Sequence, residues 1–252
     1  MLTPGMFLIV CPLLFLAGLV DSIGGGGGLI SLPAYLLAGL PVHTAIATNK
    51  LSSACGTALT TARYLRKGFV NFHLAFPSVA AALVGSSLGA QLSLRVDAET
   101  LKIVLYAVLP LSALVVLNRH LFRDHTGEEE VSPRKVLVIY VVFAFLIGCY
   151  DGFYGPGTGT FLIIAFTAFA KMNLNAANAQ AKVINLTSNI TSLTVFLLHG
   201  QVLIPLGLAA AVCNMAGNYV GSSLALSKGV RIVRPVILAV LLLLLLKILL
   251  GF

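Results

Sequence analysis

Long apolar runs without a formal charge are the feature that most limits what this chain can fold into. They include residues 2–20, 136–150 and 236–246. The apolar segments that contain these runs have the length of helices, and the alternation over about 10 residues that is typical of an outer-membrane barrel is absent. Only 10% of the 252 residues are charged, against about 25% in soluble domains. The sequence therefore predicts an all-α polytopic membrane protein.

A set of sparse residues recurs in the same order in the second part of the chain. The matched pairs, which are 130 residues apart up to Gly155 and 132 apart after it, are Phe15 and Phe145, Gly18 and Gly148, Asp21 and Asp151, Gly25 and Gly155, Lys50 and Lys182, Gly85 and Gly217, and Gly89 and Gly221. A repeat of this size points to two structurally related units. We predict two homologous halves, residues 1–120 and 134–252, joined by an aqueous linker at 121–133.

Ten apolar segments follow one another along the chain. Eight of them are long enough to cross a bilayer, at 6–23, 44–65, 70–92, 98–118, 136–153, 176–198, 202–226 and 233–251. The other two, 29–40 and 159–170, have 12 residues each, and such a helix rises about 18 Å against a hydrocarbon core of about 30 Å. Each follows a glycine-rich break, at 24–28 or 155–159. We expect about eight full transmembrane helices and two short broken-helix segments.

Basic residues are distributed unequally between the loops of the two halves. The loops at 63–68 and 228–234 hold three basic residues each, whereas the loop at 199–201 has no formal charge. The positive-inside rule places 63–68, 119–135 and 228–234 in the cytoplasm. This arrangement predicts an inverted repeat, with parallel four-helix halves as the alternative. The net charge of +8 is therefore a topology signal, and we expect no nucleic-acid partner.

Four formal charges lie inside the apolar segments and are paired by the repeat: Asp21, Asp151, Lys50 and Lys182. A charge at bilayer depth costs about 2.5–3.5 kcal/mol on insertion scales, so such residues face a bundle interior or a pathway. We predict a proton-coupling or ion-pair role for the two aspartates. The structural alternative is that the four residues form buried pairs that only hold the halves together.

Polar residues accompany both lysines at helical spacing. Ser53 and Thr57 follow Lys50, and Asn185 and Asn189 follow Lys182, at i+3 and i+7. This spacing places a cation, amides and hydroxyls along one face of each helix. Such a stripe suits a small hydrated anion, although single hydroxyls also join membrane helices through ordinary hydrogen bonds.

The two glycine-rich breaks provide a second means of attracting an anion. A short helix that begins near Gly28 or Gly159 presents free N–H groups and its positive dipole end inside the membrane. A phosphate-loop or dinucleotide interpretation is rejected, because no Gly-Lys-Ser/Thr follows the glycines and no βαβ unit surrounds them. Close helix packing is the structural alternative for any single glycine.

Other classes of function find less support in the sequence. An intramembrane aspartyl protease would need two carboxylates that share a proton, and its Gly-x-Gly-Asp element is absent. The four cysteines show no CxxC or Cys/His spacing, so we expect neither a metal site nor a cofactor. We therefore predict no enzyme. A passive anion channel stays open as an alternative, because the same polar stripe would line a pore.

Several motifs, in their order, resemble the TauE/SafE (TSUP) family of bacterial sulfite exporter-like permeases. They lie at 21–29 and 47–51 in the first half and at 152–159, 181–189 and 226–235 in the second. The resemblance covers nearly the whole chain. It implies a multi-pass permease of the bacterial inner membrane for small sulfur oxyanions or organosulfonates.

The polar stripes, the glycine-rich breaks and the family resemblance together predict one substrate site between the halves. Its members are Gly25, Gly26, Gly27, Gly28, Asn49, Lys50, Ser53, Thr57, Gly155, Gly157, Thr158, Gly159, Lys182, Asn185 and Asn189. The expected function is a secondary transporter for a small anion. The expected partners are that anion and the lipid bilayer, with a homodimer as one option for the oligomeric state.

Overall fold

The computed structural model describes residues 2–104, 107–108 and 131–228. Their helices are α1 (Pro4–Gly24), α2 (Gly28–Leu37), α3 (Val42–Arg66), α4 (Phe72–Arg95), α5 (Pro133–Phe153), α6 (Thr158–Ala168), α7 (Leu174–Leu198) and α8 (Ile204–Lys228). The predicted all-helical class is confirmed for this part of the chain, including the two short helices. The predicted segment at 98–118 is helical at 98–104 and 107–108. Its other residues and the segment at 233–251 lie outside the described residues.

The helices begin and end where the local sequence favours it. The Asn71 side chain caps α4 by accepting a hydrogen bond from the His73 N–H at 3.0 Å, and Asn173 caps α7 in the same manner. Asp97, before the helix at residue 98, accepts a hydrogen bond from the Thr100 N–H at 2.9 Å. That backbone hydrogen bond holds the pKa of Asp97 below its ordinary value.

The outer surface and the length of the helices fit a lipid environment. Within the described residues, α1, α4, α5 and α7 are long and apolar enough to cross a membrane. Large apolar side chains are exposed on the outside of the bundle, among them Leu8, Phe76, Leu198 and Val212. In water such a surface would be an aggregation hazard, whereas it is the expected surface against hydrocarbon.

Helix α3 is the most polar of the long helices because it lies in the interior. It buries a set of hydroxyl, amide and ammonium groups: Thr48, Asn49, Lys50, Ser52, Thr57, Thr60 and Thr61. Three contacts set its direction relative to α7: Lys50 contacts Asn189, Thr61 contacts the Lys182 carbonyl, and Tyr64 contacts Asn178. Later residues of α3 contact earlier residues of α7. These two central helices therefore run antiparallel.

Two tight seams hold the bundle together. A Cβ atom at Gly217 would lie 1.9 Å from the Phe15 carbonyl oxygen, and one at Gly89 would lie 2.0 Å from the Cys149 carbonyl oxygen. Glycine thus brings backbone against backbone between α1 and α8 and between α4 and α5, as small residues do in membrane bundles. Gly221 meets Leu19 one turn after Gly217 meets Phe15, so α1 and α8 run in the same direction.

The two short helices, α2 and α6, are covered by other parts of the protein. Helix α2 buries Leu32 and Tyr35, and the Tyr35 hydroxyl donates to Ser52 of α3 at 2.9 Å. Helix α6 buries Phe166, whose ring stacks on Tyr140 of α5 with centroids 3.9 Å apart. Interrupted helices are tolerated in a bilayer under this condition of burial.

Closing the space at a seam glycine should destabilise the protein. Gly89→Ala forces a Cβ atom against the Cys149 carbonyl oxygen, and overpacking of this kind costs about 1–3 kcal/mol. We expect a lower thermal midpoint in detergent, measured by size-exclusion chromatography after heating.

Gly5→Ala is the matched control, since the nearest heavy atom to its Cβ would be 3.9 Å away. Gly5→Ala should leave the midpoint unchanged or raise it, because alanine favours helix by about 1 kcal/mol over glycine. Equal midpoints for the two variants would contradict the close approach at Gly89.

Candidate functional site

A small polar cavity lies where α1 and α5 end, where α2 and α6 begin, and between the central helices α3 and α7. Its volume is about 20 Å³, which is room for about one water molecule. The lining residues are Asp21, Gly26, Gly27, Gly28, Asn49, Lys50, Ser53, Thr57, Asp151, Gly155, Gly157, Thr158, Gly159, Asn185, Asn189 and Asn214. Every residue of the predicted substrate site lines the cavity except Gly25 and Lys182.

Lys50 is neutralised by an aspartate from a distant helix. Its ammonium lies 2.9 Å from the Asp151 carboxylate and donates to the Asn189 amide oxygen at 3.2 Å. Asp151 also accepts a hydrogen bond from Thr158 at 2.7 Å and another from Ser188. Both charged side chains are almost fully buried, at 2% and 3% exposure. A buried pair with this many hydrogen bonds meets the conditions under which burial of charge is tolerated.

Lys182 is neutralised by Asp21 in the corresponding way. Its ammonium lies 2.8 Å from the Asp21 carboxylate and also donates to the Asp21 backbone carbonyl. That carbonyl also accepts a hydrogen bond from the Gly25 N–H at 2.9 Å, and it lies near the end of α1, where the helix dipole favours a cation. Lys182 is fully buried behind Asp21, and only the aspartate reaches the cavity. The sequence predicted that Lys182 would line the site, but Asp21 lies between Lys182 and the cavity.

The two glycine-rich breaks lie directly against each other. A Cβ atom at Gly25 would lie 2.3 Å from the Thr160 nitrogen, and the Thr160 hydroxyl donates to the Gly24 carbonyl at 3.1 Å. Gly25 has a positive φ of 76° and Gly157 one of 88°, which favours glycine at both positions. Gly25 is thus used for contact between the breaks and not for lining the cavity. As predicted from sequence, both short helices begin at the cavity wall.

Amide and hydroxyl groups complete the walls from the central helices. Asn189 donates to the Asn185 amide oxygen at 3.1 Å, and Ser53 contacts the Asn49 amide oxygen at 3.4 Å. These side chains lie on the cavity-facing sides of α7 and α3. Thr57 lines the cavity one turn further along α3. The polar stripes predicted from residue spacing therefore meet at a single place.

Two residues of the site were missed by the sequence analysis. Asn214 of α8 lines the cavity and donates to the Leu14 carbonyl at 3.2 Å, and Ser188 is a hydrogen-bond partner of Asp151. Their repeat counterparts at an offset of 132 are Ala82 and Gly56, so a search for residues common to both halves passes over them. The available signal for Asn214 was an amide inside an apolar segment.

The site offers no other chemistry in the described residues. No group of three or more His, Cys, Asp or Glu side chains there has the geometry to hold a metal ion. Each of the two intramembrane aspartates is paired with a lysine. The arrangement combines two neutralised lysine–aspartate pairs, two helix N-termini and neutral hydrogen-bond donors around one cavity.

Comparison with known proteins gives the family. The model of the family described as sulfite exporter TauE/SafE matches residues 10–248. The chain is 36% identical over 241 residues to "Probable membrane transporter protein YfcA" of Escherichia coli (strain K12), a match that covers 95% of this chain and 88% of that one. It is 36% identical over 227 residues to "Probable membrane transporter protein ORF9" of Sinorhizobium sp, covering 90% and 85% of the two chains.

A more distant relative is "Probable membrane transporter protein YdhB" of Bacillus subtilis (strain 168), 24% identical over 218 residues and covering 85% of this chain and 89% of that one. No solved structure matches the chain. The family match extends over nearly all of the chain, and the relatives share its length as well as its sequence. The resemblance found in the motifs is thereby confirmed, and the chain belongs to the TauE/SafE family of membrane transporters.

Proposed function

We propose that this protein is a secondary transporter that binds a small anion, of the sulfur oxyanion or organosulfonate class, in the cavity between the N-termini of α2 and α6. The observation that carries the proposal is that two buried lysine–aspartate pairs meet at one polar cavity, which Lys50 lines directly and Lys182 reaches through Asp21. Helix N-termini add a positive potential equivalent to about half a charge each. The side-chain amides of Asn185 and Asn189 replace hydrogen bonds that the anion loses with its water.

The size of the cavity favours a carrier over an open pore. A volume of about 20 Å³ holds about one water molecule, and a sulfur oxyanion is several times larger. Binding therefore requires the walls to move apart, which is the behaviour of a carrier that alternates between conformations. A channel would present a continuous wet path through the described conformation.

We further propose that residues 1–120 and 134–252 are inverted repeats joined by the linker at 121–133. The antiparallel arrangement of the equivalent helices α3 and α7 supports this proposal. The seams support it as well, because Gly85 lies against Phe145 of α5 just as Gly217 lies against Phe15 of α1. Inverted repeats place a substrate site near the midplane, at the interface between the repeats.

The proposed orientation places the basic loops at 63–68, 119–135 and 228–234 in the cytoplasm of a bacterium, at its inner membrane. Helices α3 and α8 run in the same direction, since Thr60 contacts Asn218 and Arg63 contacts Ser222. Helices α4 and α5 also share a direction, and α4 starts immediately after α3 ends. The end of α3, the start of α5 and the end of α8 therefore face the same side, in keeping with the positive-inside rule.

Purified protein in liposomes should show carrier kinetics. We expect anion uptake to saturate with concentration and to be accelerated by the same anion on the opposite side, because a carrier returns faster when loaded. The measurement is counterflow of radiolabelled sulfite, sulfate or methanesulfonate. Single-channel current steps in a planar bilayer would favour the anion channel, and no flux of any tested anion would contradict the proposed substrate class.

Loss of the Lys182 charge should strongly reduce transport by protein that is still folded, as shown by size-exclusion chromatography. Lys182→Gln keeps a donor for the Asp21 carboxylate but removes the positive charge behind the cavity. We expect anion-dependent flux to fall by at least about tenfold, which corresponds to about 1.4 kcal/mol of lost anion stabilisation. Lys135→Gln, at an exposed lysine in the first turn of α5, is the matched control and should transport normally. Normal flux in Lys182→Gln would contradict the role of this lysine.

The proposed topology places Lys67 and His199 on opposite sides of the membrane. Both are exposed, one after α3 and one after α7. Single cysteines at these positions, in a chain whose own four cysteines are replaced by serine or alanine, should react differently with a membrane-impermeant maleimide. We expect labelling of position 199 from the periplasm and of position 67 only after the cells are lysed. Labelling of both from one side would contradict the inversion.

A further inference from the structure

The two buried ion pairs differ in how fully the aspartate is held. Asp151 has three donors on its carboxylate, from Lys50, Thr158 and Ser188, and its side chain is 3% exposed. The Asp21 carboxylate is paired with Lys182 in the described residues, and its side chain is 14% exposed at the cavity. One aspartate is thus enclosed by donors, whereas the other has surface open to the cavity.

The difference is present in the amino-acid sequence. The counterpart of Thr158 is a glycine at either repeat offset, Gly26 at 132 and Gly28 at 130, and the counterpart of Ser188 at the offset of 132 is Gly56. Both hydroxyl donors of Asp151 are therefore replaced by glycine around Asp21. The space at Gly56 is filled by another group, since a Cβ atom there would lie 1.8 Å from the Asn214 amide oxygen. A side chain at position 56 would displace the Asn214 amide from this place.

We propose that Asp21 carries the coupling proton of the transport cycle and that Asp151 remains a permanently ionised partner of Lys50. The proposal rests on the proposed anion transport. In the cycle, the anion takes the place of the Asp21 carboxylate at the Lys182 ammonium, and Asp21 takes up one proton from water at the cavity. A monovalent anion and one proton then cross together, so that the charge of the binding site is the same before and after loading.

The two aspartates differ in how many hydrogen bonds protonation of the carboxylate would weaken. A protonated carboxyl group is itself a donor and has less capacity to accept hydrogen bonds. Protonation of Asp151 would therefore weaken three buried hydrogen bonds at once. It would leave Lys50, Thr158 and Ser188 with only their second acceptors, which are the Asn189 amide oxygen and the Gly155 and Asn185 carbonyls. Protonation of Asp21 frees Lys182 alone, and Lys182 keeps the Asp21 backbone carbonyl as an acceptor and gains the anion.

The surroundings of Asp21 contain few other charges. The titratable groups near its cavity are Lys182 from α7, Lys50 from α3 and Asp151 from α5. The other helices packed on α1 contribute neutral groups to the cavity. These groups are residues 26–28 at the start of α2, residues 157–159 at the start of α6, and the Asn214 amide of α8. Proton exchange at Asp21 is therefore governed by its pairing with Lys182 and by the anion.

Asparagine at position 21 imitates the protonated aspartate permanently. In liposomes that contain full-length Asp21→Asn, we expect counterflow of methanesulfonate to persist, with a rate that changes by less than about twofold between about pH 5 and pH 8. The wild type should change by up to about tenfold per pH unit over part of that range, as for binding of one proton. Methanesulfonate keeps its charge over this range. Proton uptake measured with a trapped pH dye should accompany flux in the wild type and be absent in the variant.

A second measurement does not depend on transport. Infrared difference spectra of the protein in detergent, taken between about pH 8 and pH 5, should contain the carbonyl stretch of a buried carboxylic acid. We expect Asp21→Asn to remove this band, and Asp151→Asn and Ser188→Ala to retain it. Asp21→Asn and Asp151→Asn each leave a buried lysine without its counter-ion, so both are first shown to be folded by size-exclusion chromatography. Ser188→Ala keeps both ion pairs, and the double variant Asp21→Asn/Lys182→Met removes one pair together and should also lack the band.

The two measurements separate failure of this inference from failure of the proposed function. Proton-coupled flux or a retained band in Asp21→Asn would overturn the assignment to Asp21, as would loss of the band in folded Asp151→Asn. If the wild type transports no tested anion while the band still disappears only in Asp21→Asn, the proton site stands and the proposed anion transport is wrong.

Discussion

A lysine buried in a membrane protein needs a carboxylate, and the rest of this structure depends on how that need is met. Lys50 on α3 is paired with Asp151 at the end of α5, and Lys182 on α7 is paired with Asp21 at the end of α1. Each central helix is thus tied to a helix far away in the sequence. An unpaired charge at this depth would cost several kcal/mol, so the two pairs hold the ends of α1 and α5 against the central helices, at the cavity.

The glycine-rich breaks follow from the same arrangement. Each aspartate lies in the last turns of a helix, and the chain must then turn within the membrane to begin a short second helix. The backbone groups exposed by such a turn need partners or cover. The two breaks provide cover for each other: Gly25 lies against Thr160, and Thr160 donates to the Gly24 carbonyl. The polar backbone at the centre of the protein is thereby shared between two distant parts of the chain.

Much of the fold and of the site could be read from the sequence, because both leave local traces. The lengths of the apolar segments predicted the bounds of the described helices to within a few residues, and the glycine runs predicted the breaks. Helical spacing correctly predicted that Lys50, Asn185 and Asn189 face one cavity. The partner of each lysine was not predictable, since pairing between helices is a tertiary property without a local pattern. Asn214 and Ser188 were not predicted, because the repeat indicates only residues that are present in both halves.

The seams formed by Gly217 and Gly89 have a mechanical consequence. Pulling residues 1–120 away from 134–252 as one block would break both backbone contacts at once. The natural rigid bodies are therefore mixed: α1, α3 and α8 on one side, and α4, α5 and α7 on the other, each drawn from both parts of the sequence. Both lysine–aspartate pairs cross the boundary between these bodies, and the proposed cycle releases the Lys182–Asp21 pair while the Lys50–Asp151 pair continues to join them.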